Sequence, residues 1–172
     1  DHRDLHTFPT RRSSDLLLIE ALNEIDDDVR LLFEINIIGI SKEEFLRKYL
    51  GSEIMIERVS DVLVFHGKRD REYVIKYLEI SDFSFLLRPP YEVFAKAGFP
   101  TKVAESMLHG IPMLCNITSD LDVYLIDGIN SIIIKQFNKT SVANELIKIS
   151  NYSKEQIQKL HINAYSSSKV FN

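Results

Sequence analysis

From Leu17 onward, apolar and polar positions follow two alternating periods. Leu17 to Glu24 reads as the end of an amphipathic helix, and Asp26–Asp28 as a solvated turn. Val29 to Ile40 is mostly apolar and β-branched. That predicts a buried strand beginning near Arg30 and ending near Gly39. Ser41 with Glu44 forms a capping box that opens a helix through Leu50. Val59 to Phe65 is the next apolar run, and His66-Gly67 stops it. Asp70 or Arg71 to Ile80 has helical spacing through Tyr73, Val74, Tyr77 and Leu78. Phe83 to Leu87 predicts a short buried strand, closed by Arg88-Pro89-Pro90. Thr101 to His109 is helical, with Gly110 as its cap. Pro112 to Asn116 predicts a strand, and Ser119 or Asp120 opens a short helix to Ile126. Ser131 to Lys135 is the last strand, and Thr140–Ile149 and Ser153 to about Ser166 are closing helices.

Strands that are continuous apolar runs, alternating with helices, predict a parallel sheet covered on both faces. Ligands of such sheets bind beyond the carboxyl ends of the strands. That rule selects three loops: His66–Arg69, Arg88–Pro100 and Asn116–Ser119.

The first sixteen residues break the pattern. "FPTRRSSDL", from Phe8 to Leu16, has no apolar period and leads straight into a hydrophobic helix. Its arginines suggest a transit peptide, but Asp1, Asp4 and Asp15 argue against one. "PTRRSSDL" resembles one reading frame of a synthetic sequencing adapter. The expectation is a non-native or disordered leader over 1–16 that makes no packed core, followed by one α/β domain over 17–172.

Composition narrows the function classes. The chain has 172 residues, 45% hydrophobic and 27% charged, enough for one sizeable core. A net charge of −4 gives no reason to expect nucleic acid or an anionic membrane surface as partner. Cys115 is the single cysteine, which fits a reducing compartment and a cytoplasmic location. Inside an apolar strand it should be inert. The HxH, HxxE and CxxC spacings are absent, so neither a metal nor a resident cofactor is expected. The Asp26–Asp28 run is a solvated turn rather than a metal site.

The candidate chemistry lies in "AGFPTKVAESMLHGIPMLCN". Gly98 permits close backbone approach, and Pro100 suits a helix start. The N–H groups that follow, with Lys102, make an anion site in which phosphate is the expected ligand. Glu105 lies four residues after Thr101 and leans toward the same mouth. It either accepts two hydrogen bonds from a ribose diol or complements the helix dipole. Arg88 closes a strand at this edge, to reach a phosphate or to pair with Glu92. His66 at a strand end reads as a turn or core residue before a catalytic base, and His109 as a cation suited to a helix C-terminus.

These residues carry a resemblance. "GFPTKVAES" followed by "HGIPMLCN" resembles the donor-binding segment of GT-B retaining glycosyltransferases, the glycogen-synthase-like group often called family 4. "VLVFHGKRDREYVIKYLEISDFSFLLR" resembles the stretch before it, and "SDLDVYLIDGINSIII" the stretch after it. The resemblance covers roughly Leu17 to Asn172. It implies the Rossmann-like C-terminal half of a GT-B fold, binding a nucleotide diphosphate sugar as substrate. Glu105 then matches the second glutamate of the family's pair, which holds the ribose. Gly98, Phe99 and Pro100 match the loop facing the donor sugar and diphosphate, and Thr101 and Lys102 the diphosphate-facing turn. His66, Gly67 and Lys68 match the turn against which the nucleobase lies. The first glutamate of the pair is replaced by Ala97, which bears on recognition of the sugar hydroxyls. The family's basic phosphate-binding pair would precede Leu17. The resemblance further implies a missing acceptor-binding half, through which alone any peripheral membrane contact would run. The work implied is polysaccharide biosynthesis. A GT-B sugar epimerase fragment and a non-enzymatic flavodoxin-like regulatory domain are the alternatives. The second needs acidic residues after its first strand, whereas Asp26–Asp28 precede one.

Overall fold

The computed structural model describes residues 3–7, 14–96 and 99–171. The strands are β1 (Arg3–Thr7), β2 (Phe33–Ile38), β3 (Leu63–Gly67), β4 (Phe83–Leu86), β5 (Met113–Cys115) and β6 (Ser131–Ile133). The helices are α1 (Ser14–Leu22), α2 (Asp27–Arg30), α3 (Lys42–Lys48), α4 (Glu53–Arg58), α5 (Arg71–Glu79), α6 (Val93–Lys96), α7 (Thr101–Leu108), α8 (Lys139–Ser150) and α9 (Lys154–Ser167). Two 3-10 turns, Leu121–Val123 and Ser168–Phe171, complete the described elements.

All strands are parallel, in the order β3-β2-β1-β4-β5-β6. This is the doubly wound arrangement, whose strand order reverses between β1 and β4. The parallel α/β reading is therefore the observed fold. Leu5, Ile35, Ile37, Phe83, Phe85, Leu114 and Ile132 belong to one core that includes Leu18 and Leu22 of α1 and Val142 and Leu146 of α8. A second core joins Leu86, Met113 and Cys115 to Leu78 of α5 and Val103 and Met107 of α7. Strand residues of opposite parity thus bury against helices on opposite faces.

Local signals placed most boundaries. The Ser41 capping box forms both of its bonds, and a second box joins Ser153 and Gln156 at the head of α9. Asp70 caps α5 by accepting from the Tyr73 N–H, 2.9 Å away. Gly110 follows α7 with φ +73, a conformation that suits glycine.

Four expectations need correction. The strand expected from near Arg30 starts only at Phe33, because residues from Asp27 make a helical turn. Arg30 is buried there and pairs with Asp27 at 2.8 Å and Asp61 at 3.7 Å. The helix expected up to Ile126 is only the 3-10 turn Leu121–Val123. Ser119 has φ 57 and no side chain caps the turn. The short helices α4 and α6 were absent from the pattern reading, being too brief for a clear period.

The fourth correction concerns the leader. Arg3–Thr7 form the central strand rather than an unpacked tail. Leu5 faces Ile35 on one side and Phe83 on the other and is 1% exposed. A slot between two parallel strands offers unpaired N–H and C=O groups on both sides, and five extended residues satisfy them whatever their polarity. Phe8 and the arginines at 11 and 12 lie outside the described residues.

Candidate functional site

In doubly wound sheets ligands bind at the carboxyl edge where the strand order reverses, here between β1 and β4, and α7 is the long helix that follows β4. Pro100 is the N-cap residue of α7, and no side chain caps that turn. Its N–H dipoles therefore favour an anion. Further along the helix, Ser106 Oγ lies 2.8 Å from both Ser84 Oγ and the Ile111 carbonyl oxygen. With one hydroxyl hydrogen, Ser106 donates to the carbonyl and accepts from Ser84. These buried bonds hold α7 in register with β4, and so place the residue before Ser106, which is Glu105.

Lys102 and Glu105 share this mouth. Lys102 is half-buried, and loss of solvent pushes its pKa down. The charges of Glu105 and of Asp15 at the head of α1 oppose that push. The Glu105 carboxylate is partly exposed, and Arg71 Nη2 reaches across from the start of α5 to 3.7 Å. The structure thus gathers two elements predicted from one helix, Lys102 and Glu105, and adds Asp15 and Arg71. Both additions come from other elements, so spacing along α7 could not have shown them. Thr101 opens the helix and is exposed.

Arg88 stands at the end of β4 on the same edge. The Asn116 side chain straddles its backbone: Oδ1 accepts from the Arg88 N–H at 2.9 Å, and Nδ2 donates to the Arg88 carbonyl at 2.8 Å. Arg88 Nη1 donates to Thr118 Oγ1 at 3.3 Å. Burial pushes the guanidinium pKa down. Beside it, Ser14 Oγ accepts from the Leu87 N–H at 2.9 Å, tying the head of α1 to the end of β4. The supporting roles of Ser14, Asn116 and Thr118 were missed. The signal for the latter two was their place in the Asn116–Ser119 loop at the ligand edge.

His66, Gly67 and Lys68 lie at the end of β3, two strands away from β1. Gly67 has φ +66, so the backbone turn is present. The His66 ring is already engaged. Its Nε2 is 2.7 Å from Asn36 Oδ1, and its Nδ1 is 2.8 Å from the Tyr73 hydroxyl. Asn36 Nδ2 donates to Glu34, so Asn36 Oδ1 faces the histidine and accepts from Nε2–H. Nδ1 then accepts from Tyr73. Burial, then the Arg69 charge, push the His66 pKa down. Lys68 is exposed. His109 lies 3.2 Å from Glu79 at the far end of α7.

In the donor loop, Gly98 and Ala97 lie outside the described residues. Phe99 packs edge-on against Tyr124 at 5.1 Å between centroids. Among the described residues, no group of three or more His, Cys, Asp or Glu is placed to hold a metal ion. No helix there is long and apolar enough to cross a membrane.

The family model described as glycosyl transferases group 1 matches residues 16–167. The chain belongs to that family. No curated protein matched it in sequence. Solved structures resemble it at low identity. HepE of Anabaena in complex with UDP-glucose superposes with a TM-score of 0.72 at 16% identity. That match covers 99% of this chain and 44% of HepE, so the chain spans under half of that relative. The C-terminal domain of the group 1 glycosyltransferase LpcC from Francisella tularensis superposes at 0.76 with 13% identity, covering 98% of this chain and 85% of that one. Sucrose-phosphate synthase from Thermosynechococcus elongatus gives 0.76 at 17%, covering 99% and 41%. At these identities the likeness is one of fold. The expected glycosyltransferase domain and the expected fold of a GT-B C-terminal half are thus both found.

Proposed function

We propose that this domain is the donor-binding half of a glycosyltransferase that moves a sugar from a nucleotide diphosphate sugar to an acceptor with retention. One observation carries the reading. Lys102 and Glu105 project from the first turns of an uncapped helix that follows β4 in a group 1 domain whose strand order reverses between β1 and β4. Glu105 holds the ribose diol. The α7 head and Lys102 hold the diphosphate, with Arg88 beside them. Gly98, Phe99 and Pro100 face the sugar, and the turn at His66, Gly67 and Lys68 lies against the base. Charge built up on the departing diphosphate is stabilised by those fixed dipoles and cations. The donor is a substrate, with no resident cofactor.

The acceptor in this reading is held by a second domain, and the 172-residue chain binds donor without turning it over, because transfer needs both halves closed on the substrates. Residues 1–16 we read as non-native in origin, although Arg3–Thr7 fill the central strand position and Ser14–Leu16 open α1. The family match begins at Leu16, and the strand Arg3–Thr7 brings only one apolar residue to a central position. Membership of family 4, polysaccharide biosynthesis and a cytoplasmic location belong to the same proposal.

HepE binds UDP-glucose, so UDP is the probe. Calorimetric titration compares UDP, 2′-deoxy-UDP and uridine on the chain and two variants. Hydrogen bonds to a charged group contribute roughly 1.5–3 kcal/mol. Glu105→Gln therefore weakens UDP about tenfold or more and costs 2′-deoxy-UDP less. Lys102→Ala weakens UDP more than uridine. Equal losses for the ribose and deoxy ligands would leave Glu105 as a dipole partner only.

A further inference from the structure

Three aromatic rings from three separate parts of the chain meet at the donor loop. Phe99 lies 5.2 Å from Phe171, at the end of the 3-10 turn Ser168–Phe171. Tyr124, which follows the turn Leu121–Val123, lies 5.3 Å from Phe171 and 5.1 Å from Phe99. Each ring touches both others, so the cluster closes on itself. Phe99 and Phe171 also pack on the second core, beside Val103 and Met107 of α7. The Phe171 turn is itself anchored. Ser168 is buried and its Oγ donates to the Tyr165 carbonyl at 2.6 Å, and Asn130 Nδ2 donates to the neighbouring Ser167 Oγ at 3.0 Å.

Phe99 directly precedes the N-cap Pro100. Whatever fixes the Phe99 ring therefore fixes the backbone that opens α7. We infer that Phe171 is a positioning residue for the donor: it clamps the Phe99–Pro100 backbone, and so sets where that backbone stands relative to Lys102 and Glu105. This rests on the donor-binding reading and adds to it a residue outside the site. The physical basis is population. A loop that is competent only part of the time weakens its ligand by that fraction. Aromatic contacts of this kind hold a geometry beyond what burial alone supplies. The diphosphate meets the helix head and Lys102, whereas the sugar meets the clamped loop. Loss of the clamp should thus fall more heavily on a sugar nucleotide than on the bare diphosphate.

The test has two arms on the full chain. Hydrogen exchange by mass spectrometry follows residues 99–105 without ligand in Phe171→Ala, Phe171→Leu and Phe171→Tyr. Calorimetry then compares UDP-glucose with UDP on the same proteins. Phe171→Ala is expected to speed exchange of residues 99–105 about tenfold, with the amides of β4 and β5 unchanged. It should weaken UDP-glucose about tenfold and UDP by clearly less. Phe171→Tyr keeps a ring and should restore both readouts; Phe171→Leu keeps bulk without a ring and should fall between. Unchanged exchange in the loop overturns the inference. So does an equal loss for UDP and UDP-glucose, which would make Phe171 a residue of the fold only. If the unsubstituted chain binds neither ligand, the donor-binding reading fails, and the exchange arm still decides whether the clamp exists.

Discussion

Replacing Leu5 with alanine tests the central strand directly. Leu5 is the one apolar residue of β1, is 1% exposed, and belongs to the main core with Leu18, Ile35 and Phe83. Its β-ladder partners on both sides are buried as well. The vacated space lies on the helix-covered face of the sheet, among side chains of strands that the ladders on both sides hold in place, so the site has little freedom to collapse. Truncating a buried leucine costs the transfer of the lost methyl groups plus the cavity left behind, about 2–5 kcal/mol. For a chain of this size that corresponds to a fall in Tm of roughly 4–20 °C. Urea unfolding followed by far-UV circular dichroism measures it. Leu50→Ala is the control: Leu50 is 87% exposed, and its loss should change stability by less than about 0.5 kcal/mol. If Leu5→Ala falls within that same margin, the strand carries no packing, and the leader is an appendage as its composition suggested.

Two further outcomes follow from the burial of single groups. The His66 pKa is pushed down in the fold, so the folded state holds this proton less tightly than the unfolded chain. The contribution is present above the unfolded value of about 6.5 and is lost as pH falls below it through the lower folded value. Urea midpoints at pH 7.5 and 5.5 should therefore separate, and less so in His66→Gln; an identical separation in both proteins would refute this. Cys115 is buried, and its thiol is pushed up to about 12. Thiol labelling at pH 8 should follow global unfolding in urea, and reaction in the native protein at the rate of a free thiol would contradict that placement.

How much of this was legible depends on whether the cause is local. The capping box at Ser41 and the Gly110 turn each depend on neighbours within a few residues, and both stand where the pattern put them. Lys102 and Glu105 came from the spacing of a single helix for the same reason. Asp15, Arg71, Asn116 and Thr118 did not, because their relation to the site crosses from one element to another. His66 was visible as a residue, yet its bonding was not. Asn36 lies thirty residues away on the next strand and Tyr73 on the following helix, and together they occupy both ring nitrogens.

The leader marks the same boundary most sharply. By itself the sequence determined the alternation of apolar runs, hence a parallel sheet covered on both faces, and the helix whose head bears the candidate site. It also showed that residues 3–7 lack the apolar period of a strand. Only the tertiary structure decided that they become one. Strand pairing is made by backbone groups that every residue type carries, and β2 and β4 each leave a ladder to be satisfied on the side facing the other. The likeness of "RDLHT" to a loop is local, whereas the demand it meets is set by two strands that approach it from residues 33 to 38 and 83 to 86.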